Sequence, residues 1–289
     1  MSGTTPHGRR GPAAALSGIG DTSVGVAVLR AMEHGRPDRL FEDPYARRFL
    51  QASGGTEKWA AKPPDGRGFL ELMAGQVAVR TSFLDRALLD AAGGGCGQVV
   101  LLASGMDARP YRLGWPAGTR LFELDFPEVL RFKRDALSGC GAVPRCAHVE
   151  VAADLREDWP GSLRAAGFDP GIPTAWLAEG LLYGLPTEAA DLLLADVTRL
   201  SAPGSALAAD HAEDSPILRA ARAAVSAELL GLWRGGPADP DAWLRELGWS
   251  PVVRDIGEVS AEYGRPVPPA FDPALDGTGR GWLITAVLV

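Results

Sequence analysis

One stretch of the chain has the pattern of a ligand-binding site. It consists of an apolar run, a turn of small residues and an acidic residue about twenty positions further on. The run is 99–102, the turn is Ala103-Ser104-Gly105, and the acid is Asp125. Small residues let a ligand approach the backbone, and a carboxylate at this spacing accepts hydrogen bonds from the two hydroxyls of a ribose. The pattern predicts an α/β nucleoside-binding unit in which Ala103, Gly105 and Asp125 contact the ligand.

Two more acids follow apolar segments in the same way. Asp154 follows the predicted strand 148–152, and Glu179 follows the predicted strand 174–178. Ligands of open α/β sheets bind beyond the carboxyl ends of the strands, so Asp125, Asp154 and Glu179 are expected at one rim. Three carboxylates there would repel one another. The rim therefore predicts a ligand that is rich in hydrogen-bond donors or that carries positive charge.

A long helix is predicted from about residue 68 to 92, and Arg80 falls on its apolar face between Val77 and Leu84. Burying an arginine without an anionic partner is costly. A buried ion pair or extension of the guanidinium to solvent is the structural alternative, and a clamp for the carboxylate of a ligand is the functional one. The sequence leaves these open.

S-adenosylmethionine (SAM) presents the groups that such a rim binds. We expect Asp125 at its ribose, Asp154 at its adenine amine with Leu155 packed on the ring, Glu179 at its cationic end and Arg80 at its carboxylate. S-adenosylhomocysteine would be the product. A nicotinamide dinucleotide fits less well, because the G-x-G-x-x-G fingerprint is absent.

From about residue 22 to its end the chain resembles the leucine carboxyl methyltransferase-like family of SAM-dependent methyltransferases, especially its bacterial members. The resemblance is carried by Asp43-Pro44-Tyr45, Val79-Arg80-Thr81, LLASGMDARPYRL (101–113), ELDFPEVLRFK (123–133), Asp154-Leu155, TAWLAEGLLYGLP (174–186) and GWLITAVLV (281–289). It implies a class I methyltransferase fold, with a seven-stranded sheet and an added helical cap. It also implies cofactor contacts from Arg80, Gly105, Asp125, Asp154, Leu155 and Glu179.

The order of predicted elements places the chain in the α/β class. Strands are predicted at 98–103, 120–125, 148–152, 174–178, 206–209, 251–254 and 282–289, with helices between most of them. This alternation predicts an open, mostly parallel sheet with helices on both faces. We expect a mobile tail at 1–20 and a single domain at 21–289, with cap elements at 21–67 and about 212–248.

Composition excludes several other classes of protein. The 289 residues are 46% hydrophobic and carry a net charge of −7, which argues against a nucleic-acid surface. The sequence contains no window of about 18 apolar residues, so we expect no membrane-spanning helix. The three cysteines lack metal-ligand spacing, so we expect no metal site and a reducing, cytoplasmic compartment. The sequence does not indicate the oligomeric state.

The expected partner is a small-molecule or peptide methyl acceptor. Carboxylate methylation is slightly favoured over hydroxyl methylation, because a carboxylate is ionised at neutral pH whereas a hydroxyl needs a base. His211 and Tyr183 are the candidates for catalysis, although a structural role is the alternative for each. Candidates for acceptor contact are Arg30, Tyr45, Tyr183 and Trp233, with ordinary burial as the alternative.

The bacterial relatives that modify natural products suggest a tailoring role. Two other functions stay open at this point. One is a module that binds SAM or another nucleoside without transferring a methyl group. The other, less favoured, is a nicotinamide-dependent oxidoreductase.

Overall fold

The computed structural model describes residues 19–54, 57–231, 233–234 and 239–289. The predicted tail at 1–20 lies outside the described residues except for its last two positions. No helix in the described part of the chain combines the length and hydropathy that crossing a membrane requires.

The central element is a seven-stranded sheet with the strand order β3-β2-β1-β4-β5-β7-β6. Its strands are β1 Gln98–Leu101, β2 Arg120–Asp125, β3 Ala147–Ala152, β4 Thr174–Ala178, β5 Ala206–Ala212, β6 Trp249–Asp255 and β7 Gly281–Leu288. Strands β1 to β5 run parallel, whereas β7 pairs antiparallel with both β5 and β6. The predicted α/β class with a mostly parallel seven-stranded sheet is confirmed.

Eleven helices occur among the described residues. They are α1 Ile19–His34, α2 Ala46–Ser53, α3 Phe69–Gly93, α4 Arg109–Arg112, α5 Pro127–Ser138, α6 Trp159–Ala165, α7 Thr187–Arg199, α8 Pro216–Val225, α9 Ala227–Gly231, α10 Pro240–Glu246 and α11 Ile256–Glu262. Short 3₁₀ turns lie at Glu57–Ala60, Leu182–Gly184 and Pro269–Phe271. The long helix predicted at 68–92 is α3.

The alternation of side chains along the strands gives the sheet two buried faces. Val100 and Trp176 on one face share an apolar cluster with Val197 of α7. Val99 on the other face shares a cluster with Leu84 of α3. Strands that are apolar on both faces are typical of parallel sheets covered by helices on each side.

A third apolar cluster lies among helices α1, α3, α8 and α9 and includes Leu29, Met73, Leu218 and Leu229. Three of these helices, α1, α8 and α9, come from the two segments in which the sequence predicts cap elements, whereas α3 lies outside both. The division of the chain into a tail and one capped domain stays a prediction.

Several strand boundaries differ from the predicted ones, and two of the differences affect the residues near the predicted rim. Strand β1 ends at Leu101, because Ala103 adopts a left-handed backbone with φ of 48° that cannot continue a strand. Strand β5 continues to Ala212, because Asp210 and His211 pair with residues of β7. Because Asp210 and His211 are polar, the strand was predicted to end before them. Their partners in β7 lie more than 70 residues later in the chain, so the sequence around them does not reveal this pairing.

Candidate functional site

A cavity opens at the carboxyl ends of β1, β2 and β4, where α1, α3, α8 and α9 approach the sheet. The turn 103–107, Asp125 and Glu179 line it from the sheet, and Arg30, Arg80 and Arg222 line it from the helices. The position agrees with the general location of ligand sites in open α/β sheets. We refer to it below as the cavity.

The turn after β1 is held to the end of β2 by direct hydrogen bonds. The Gly105 N–H donates to Asp125 Oδ2 at 2.6 Å, and the Phe126 N–H donates to Asp125 Oδ1 at 2.7 Å. Gly105 has φ of 51°, and a Cβ at this position would lie 2.7 Å from Cβ of Ser23 in α1. Only glycine therefore fits at this position, for both backbone conformation and space.

Asp125 retains the capacity to bind a ligand. The side chain is buried, and burial raises the pKa of its carboxyl group in spite of the two backbone donors. A carboxylate offers about four acceptor positions, and the backbone occupies only one on each oxygen. Ala103, Gly105 and Asp125 come together as predicted, in an arrangement that fits a ribose diol.

Three guanidinium groups surround Glu179, which lies just beyond β4. Its carboxylate oxygens lie 2.9 Å from Arg30 Nη2, 3.0 Å from Arg80 Nε and 2.6 Å from Arg109 Nη1. Burial would raise the pKa of Glu179, but Arg109, Arg30 and Arg80 together hold it well below its usual range. We call these four residues the Glu179 cluster.

The Glu179 cluster differs from the expected arrangement and contains one residue, Arg109, that was not predicted. Three carboxylates facing a single arginine were expected, yet Glu179 is already neutralised by cations of the protein itself. Arg109 escaped notice because it sits in a four-residue helix, where no periodicity marks it as buried. It is fully buried and also contacts Asp85 of α3 and Asp107 of its own turn.

The charge of Arg80 is paired within the protein by Glu179 and Asp210, so the ion-pair alternative describes this structure. Its Nη1 donates to Asp210 Oδ2 at 2.9 Å and to the Tyr183 hydroxyl at 3.4 Å. Asp210 also accepts the Gly180 N–H at 2.6 Å, which fixes the turn beyond β4. Asp210 was not among the predicted site residues, because the strand was expected to end before it.

The structure does not bring Asp154 and Leu155 to the cavity. Asp154 binds Arg156, with Arg156 Nε 2.9 Å from Asp154 Oδ1, and Leu155 packs against the apolar cluster beneath the sheet. The Ala153 N–H donates to the Asp125 carbonyl, so the segment stays beside the end of β2. A contact of Asp154 and Leu155 with adenine stays a prediction.

Three of the five candidates for acceptor chemistry line the cavity, namely Arg30, Tyr183 and Trp233. The rings of Tyr183 and Trp233 are stacked with their centroids 4.1 Å apart. Tyr45 and His211 do not line the cavity. Tyr45 packs edge-on against Tyr111, and His211 stacks on Trp282.

Arg222 is a cavity residue that the sequence reasoning missed. It is 1% exposed, its Nη2 donates to Asp214 Oδ1 at 2.7 Å, and its Cζ lies 4.7 Å from the Trp233 ring centroid. Like Arg80, it is an arginine on the apolar face of a helix, which the sequence could have shown. Arg222 lies four positions after Leu218 on the apolar face of α8.

Comparisons with known proteins agree with this geometry. The profile of the leucine carboxyl methyltransferase family matches residues 23–198. A proposed SAM-dependent methyltransferase of Parafrankia sp. is 44% identical, with 96% of this chain and 89% of that protein covered. One from Rhodococcus jostii is 43% identical, with coverage of 94% and 96%. The crystal structure of a proposed methyltransferase from Thermobifida fusca matches with a TM-score of 0.57 and 18% identity, covering 92% of this chain and 94% of that one.

Proposed function

The chain belongs to the leucine carboxyl methyltransferase family of SAM-dependent methyltransferases, and from this premise we propose that it methylates a carboxylate oxygen of an apolar small molecule. The methyl donor is SAM. A peptide acceptor with an apolar end has the same chemistry. A role in natural-product tailoring stays a prediction from the resemblance.

The residues that would hold SAM are at the strand ends. Asp125 has free acceptor positions for the ribose, and the left-handed turn at Ala103 and Gly105 exposes its backbone to the cavity. We further propose that Asp154 and Leu155 contact the adenine, and that Arg80 and Glu179 contact the amino-acid end by exchanging part of their present pairing. When bound, SAM would supply a methyl group on a positively charged sulfur. The acceptor oxygen would form a bond to the methyl carbon while the carbon–sulfur bond breaks, and the electron pair of that bond would stay on sulfur.

The carboxylate assignment is supported chiefly by the protonation states of the titratable groups around the cavity. Glu179 and Asp107 are paired with arginines, which hold the pKa of both carboxyls low. Burial raises the pKa of the Tyr183 hydroxyl, so this group stays protonated at neutral pH. Asp125, whose pKa is raised by burial, is assigned to the ribose. No other described residue of the cavity is suited to take a proton from a hydroxyl acceptor, and a carboxylate acceptor needs no such base.

The remaining wall of the cavity supports an apolar acceptor. Phe69, Met73 and Val77 of α3, with Leu229 of α9 and Trp233, line the helical side. Apolar walls with a few placed polar groups are typical of small-molecule sites. They also exclude water, which favours alignment of the acceptor oxygen with the methyl carbon.

The chemical stability of the product tests the proposal. The protein would be incubated with methyl-labelled SAM and a panel of apolar carboxylic acids, each paired with its primary alcohol. We expect label on the acids, released as methanol in mild alkali, because esters hydrolyse and ethers do not. Asp125→Ala serves as the control for transfer that depends on the cavity. Alkali-stable label on the alcohols alone would overturn the carboxylate assignment.

The pH profile gives a second test. With a carboxylate acceptor, the turnover number should stay level from about pH 6 to pH 9, because neither the acceptor nor a base titrates there. A turnover number that increases with pH in this range, as a single group loses its proton, would contradict the proposal.

A further inference from the structure

We propose that Arg222 binds a carboxylate of the acceptor and thereby selects acidic substrates. The inference rests on the proposed function for the presence of an acceptor in the cavity. It goes further in naming the residue that recognises the acceptor and the charge that this residue selects.

The hydrogen bonding of Arg222 is incomplete. Its Nε and Nη1 have no hydrogen-bond partner among the described residues, although the side chain is almost fully buried. Only Nη2 is engaged, with Asp214. Buried polar groups normally have partners, and a buried guanidinium with two unsatisfied nitrogens is costly. Because Arg222 lines the cavity, a bound ligand is the available source of the missing acceptors.

The chemistry of the guanidinium defines the ligand group. Neighbouring N–H groups of a guanidinium form a planar fork that matches the two oxygens of a carboxylate. Trp233 covers the guanidinium at 4.7 Å and keeps water away from it, which strengthens a charge-assisted hydrogen bond.

The surroundings of Arg222 define the rest of the acceptor. Contacts run from Arg222 to Trp233, from Trp233 to Tyr183, and from the Tyr183 hydroxyl to Arg80 of the Glu179 cluster. The stacked rings form a flat wall, and Leu229 lines the cavity nearby. The preferred acceptor is therefore an acid with a flat or extended apolar body.

The carboxylate at Arg222 has two possible sources, and they differ in what the reaction does to it. If it is the reacting group, methylation converts an anion and a sulfonium into two neutral products, so the ester loses its attraction to Arg222 and is released. If it is a second acid on the acceptor, its charge persists after methylation. Both sources share the recognition of a carboxylate by Arg222.

Binding measurements in the presence of S-adenosylhomocysteine test the inference without requiring turnover. The probes are 3-phenylpropanoic, decanoic and 2-naphthoic acids and their α,ω- or ring-dicarboxylic counterparts, each compared with its primary amide by calorimetry. We expect at least one acid to bind about tenfold or more tightly than its amide, the scale of one charge-assisted hydrogen bond. Arg222→Met should abolish this preference, and Arg222→Lys should retain part of it.

The matched control is Arg219→Met. Arg219 lies on the same helix and contacts the same Asp214 at 3.3 Å, but its side chain is exposed to solvent. It should leave the preference for acids intact. The affinity for S-adenosylhomocysteine, measured in each variant, shows that the cavity is still folded.

The outcomes separate this inference from the proposed function. Selective binding of monocarboxylic acids identifies the reacting carboxylate, whereas selectivity for diacids alone identifies a second acid. If the products are stable in alkali but acids still bind selectively in a way that depends on Arg222, carboxylate methylation is overturned and the inference about Arg222 stands. Equal binding of acids and amides by the unmodified protein, or unchanged selectivity in Arg222→Met, would overturn the inference.

Discussion

Two buried arginine sites in this protein differ in how completely their charges are paired. In the Glu179 cluster, one carboxylate meets three guanidinium groups, and Arg80 also pairs with Asp210. At Arg222, one guanidinium meets a single carboxylate, and two of its nitrogens have no partner among the described residues. Arg30, Arg80 and Glu179 of the cluster line the same cavity as Arg222.

This difference in pairing distinguishes residues that organise the cavity from a residue that is available to bind a ligand. Glu179 and Arg109 each have three charged partners, Arg80 has two and Arg30 has one, so the cluster is already ordered before anything binds. Arg222 lines the cavity and is held at Nη2 only, and its Nε and Nη1 have no hydrogen-bond partner among the described residues. One nitrogen each of Arg30, Arg80 and Arg109 also lacks a hydrogen-bond partner among the described residues, but all three arginines pair with Glu179, whereas Arg222 leaves two nitrogens without a partner. The larger deficit at Arg222 favours recognition of a ligand.

The strongest test of the comparison is Glu179→Gln, which removes the shared anion. Three buried guanidinium groups would lose a partner, and an uncompensated buried charge typically costs about 3–5 kcal/mol. We expect a loss of this size in the free energy of unfolding, measured by urea denaturation. The exposed Glu188→Gln on α7 is the control and should change stability by less than about 0.5 kcal/mol. Similar midpoints for the two variants would show that the cluster is not a framework.

The pH dependence of stability sharpens the same point. Because the pKa of Glu179 lies well below its ordinary value of 4.5, the unfolded chain binds a proton at a higher pH than the folded protein does. The stability that Glu179 contributes is therefore complete above about pH 4.5 and decreases as the pH falls below it. Urea midpoints of the unmodified protein and of Glu179→Gln should approach each other in that acidic range. A constant difference between them from about pH 7 to pH 3.5 would contradict the lowered pKa.

Asp125 is the carboxylate in the cavity with acceptor positions to spare, so its removal should affect ligand binding more than folding. Asp125→Ala should weaken the binding of S-adenosylhomocysteine by about 1–3 kcal/mol, the scale of charged hydrogen bonds to the ribose. Calorimetry on the folded variant measures this loss. An unchanged affinity would refute the assigned role of Asp125.

Asp154 should give a smaller change in affinity, because it must exchange its contact with Arg156 for the adenine amine. Asp154→Ala is expected to weaken S-adenosylhomocysteine binding by about 0.5–1.5 kcal/mol. Arg156→Ala removes the competing partner from an exposed pair that contributes little to stability, so it should leave affinity unchanged or raise it. Weaker binding in Arg156→Ala would show that this pair supports the site rather than competing for it.

The smallest effect on stability is expected for Arg222→Met. Asp214 is partly exposed and retains Arg219, so the substitution leaves no isolated buried charge. The methionine fills similar space, and the free energy of unfolding should change by about 1 kcal/mol or less. A loss as large as that of Glu179→Gln would show that Arg222 belongs to the framework.

Sequence reasoning succeeded where the signal was local. The apolar run before Ala103, the small turn and Asp125 lie within the single unit β1-α4-β2, and the structure joins the turn to Asp125 by a direct hydrogen bond. The burial of Arg80 also followed from its helical periodicity. Strand β5 was predicted too short, because its last residues are ordered by pairing with β7 from the far end of the chain.

The sequence by itself determined the α/β order of elements, the turn that approaches a nucleoside and the family of SAM-dependent methyltransferases. These follow from apolar periodicity and from residues close together in the chain. Only the tertiary structure decided which charges are paired. Arg30, Arg109 and Glu179 come from three separate elements, and whether a buried arginine is neutralised depends on distances of a few ångströms that no spacing along the chain specifies. For the same reason, Arg80 and Arg222 look alike in the sequence but differ in the folded protein.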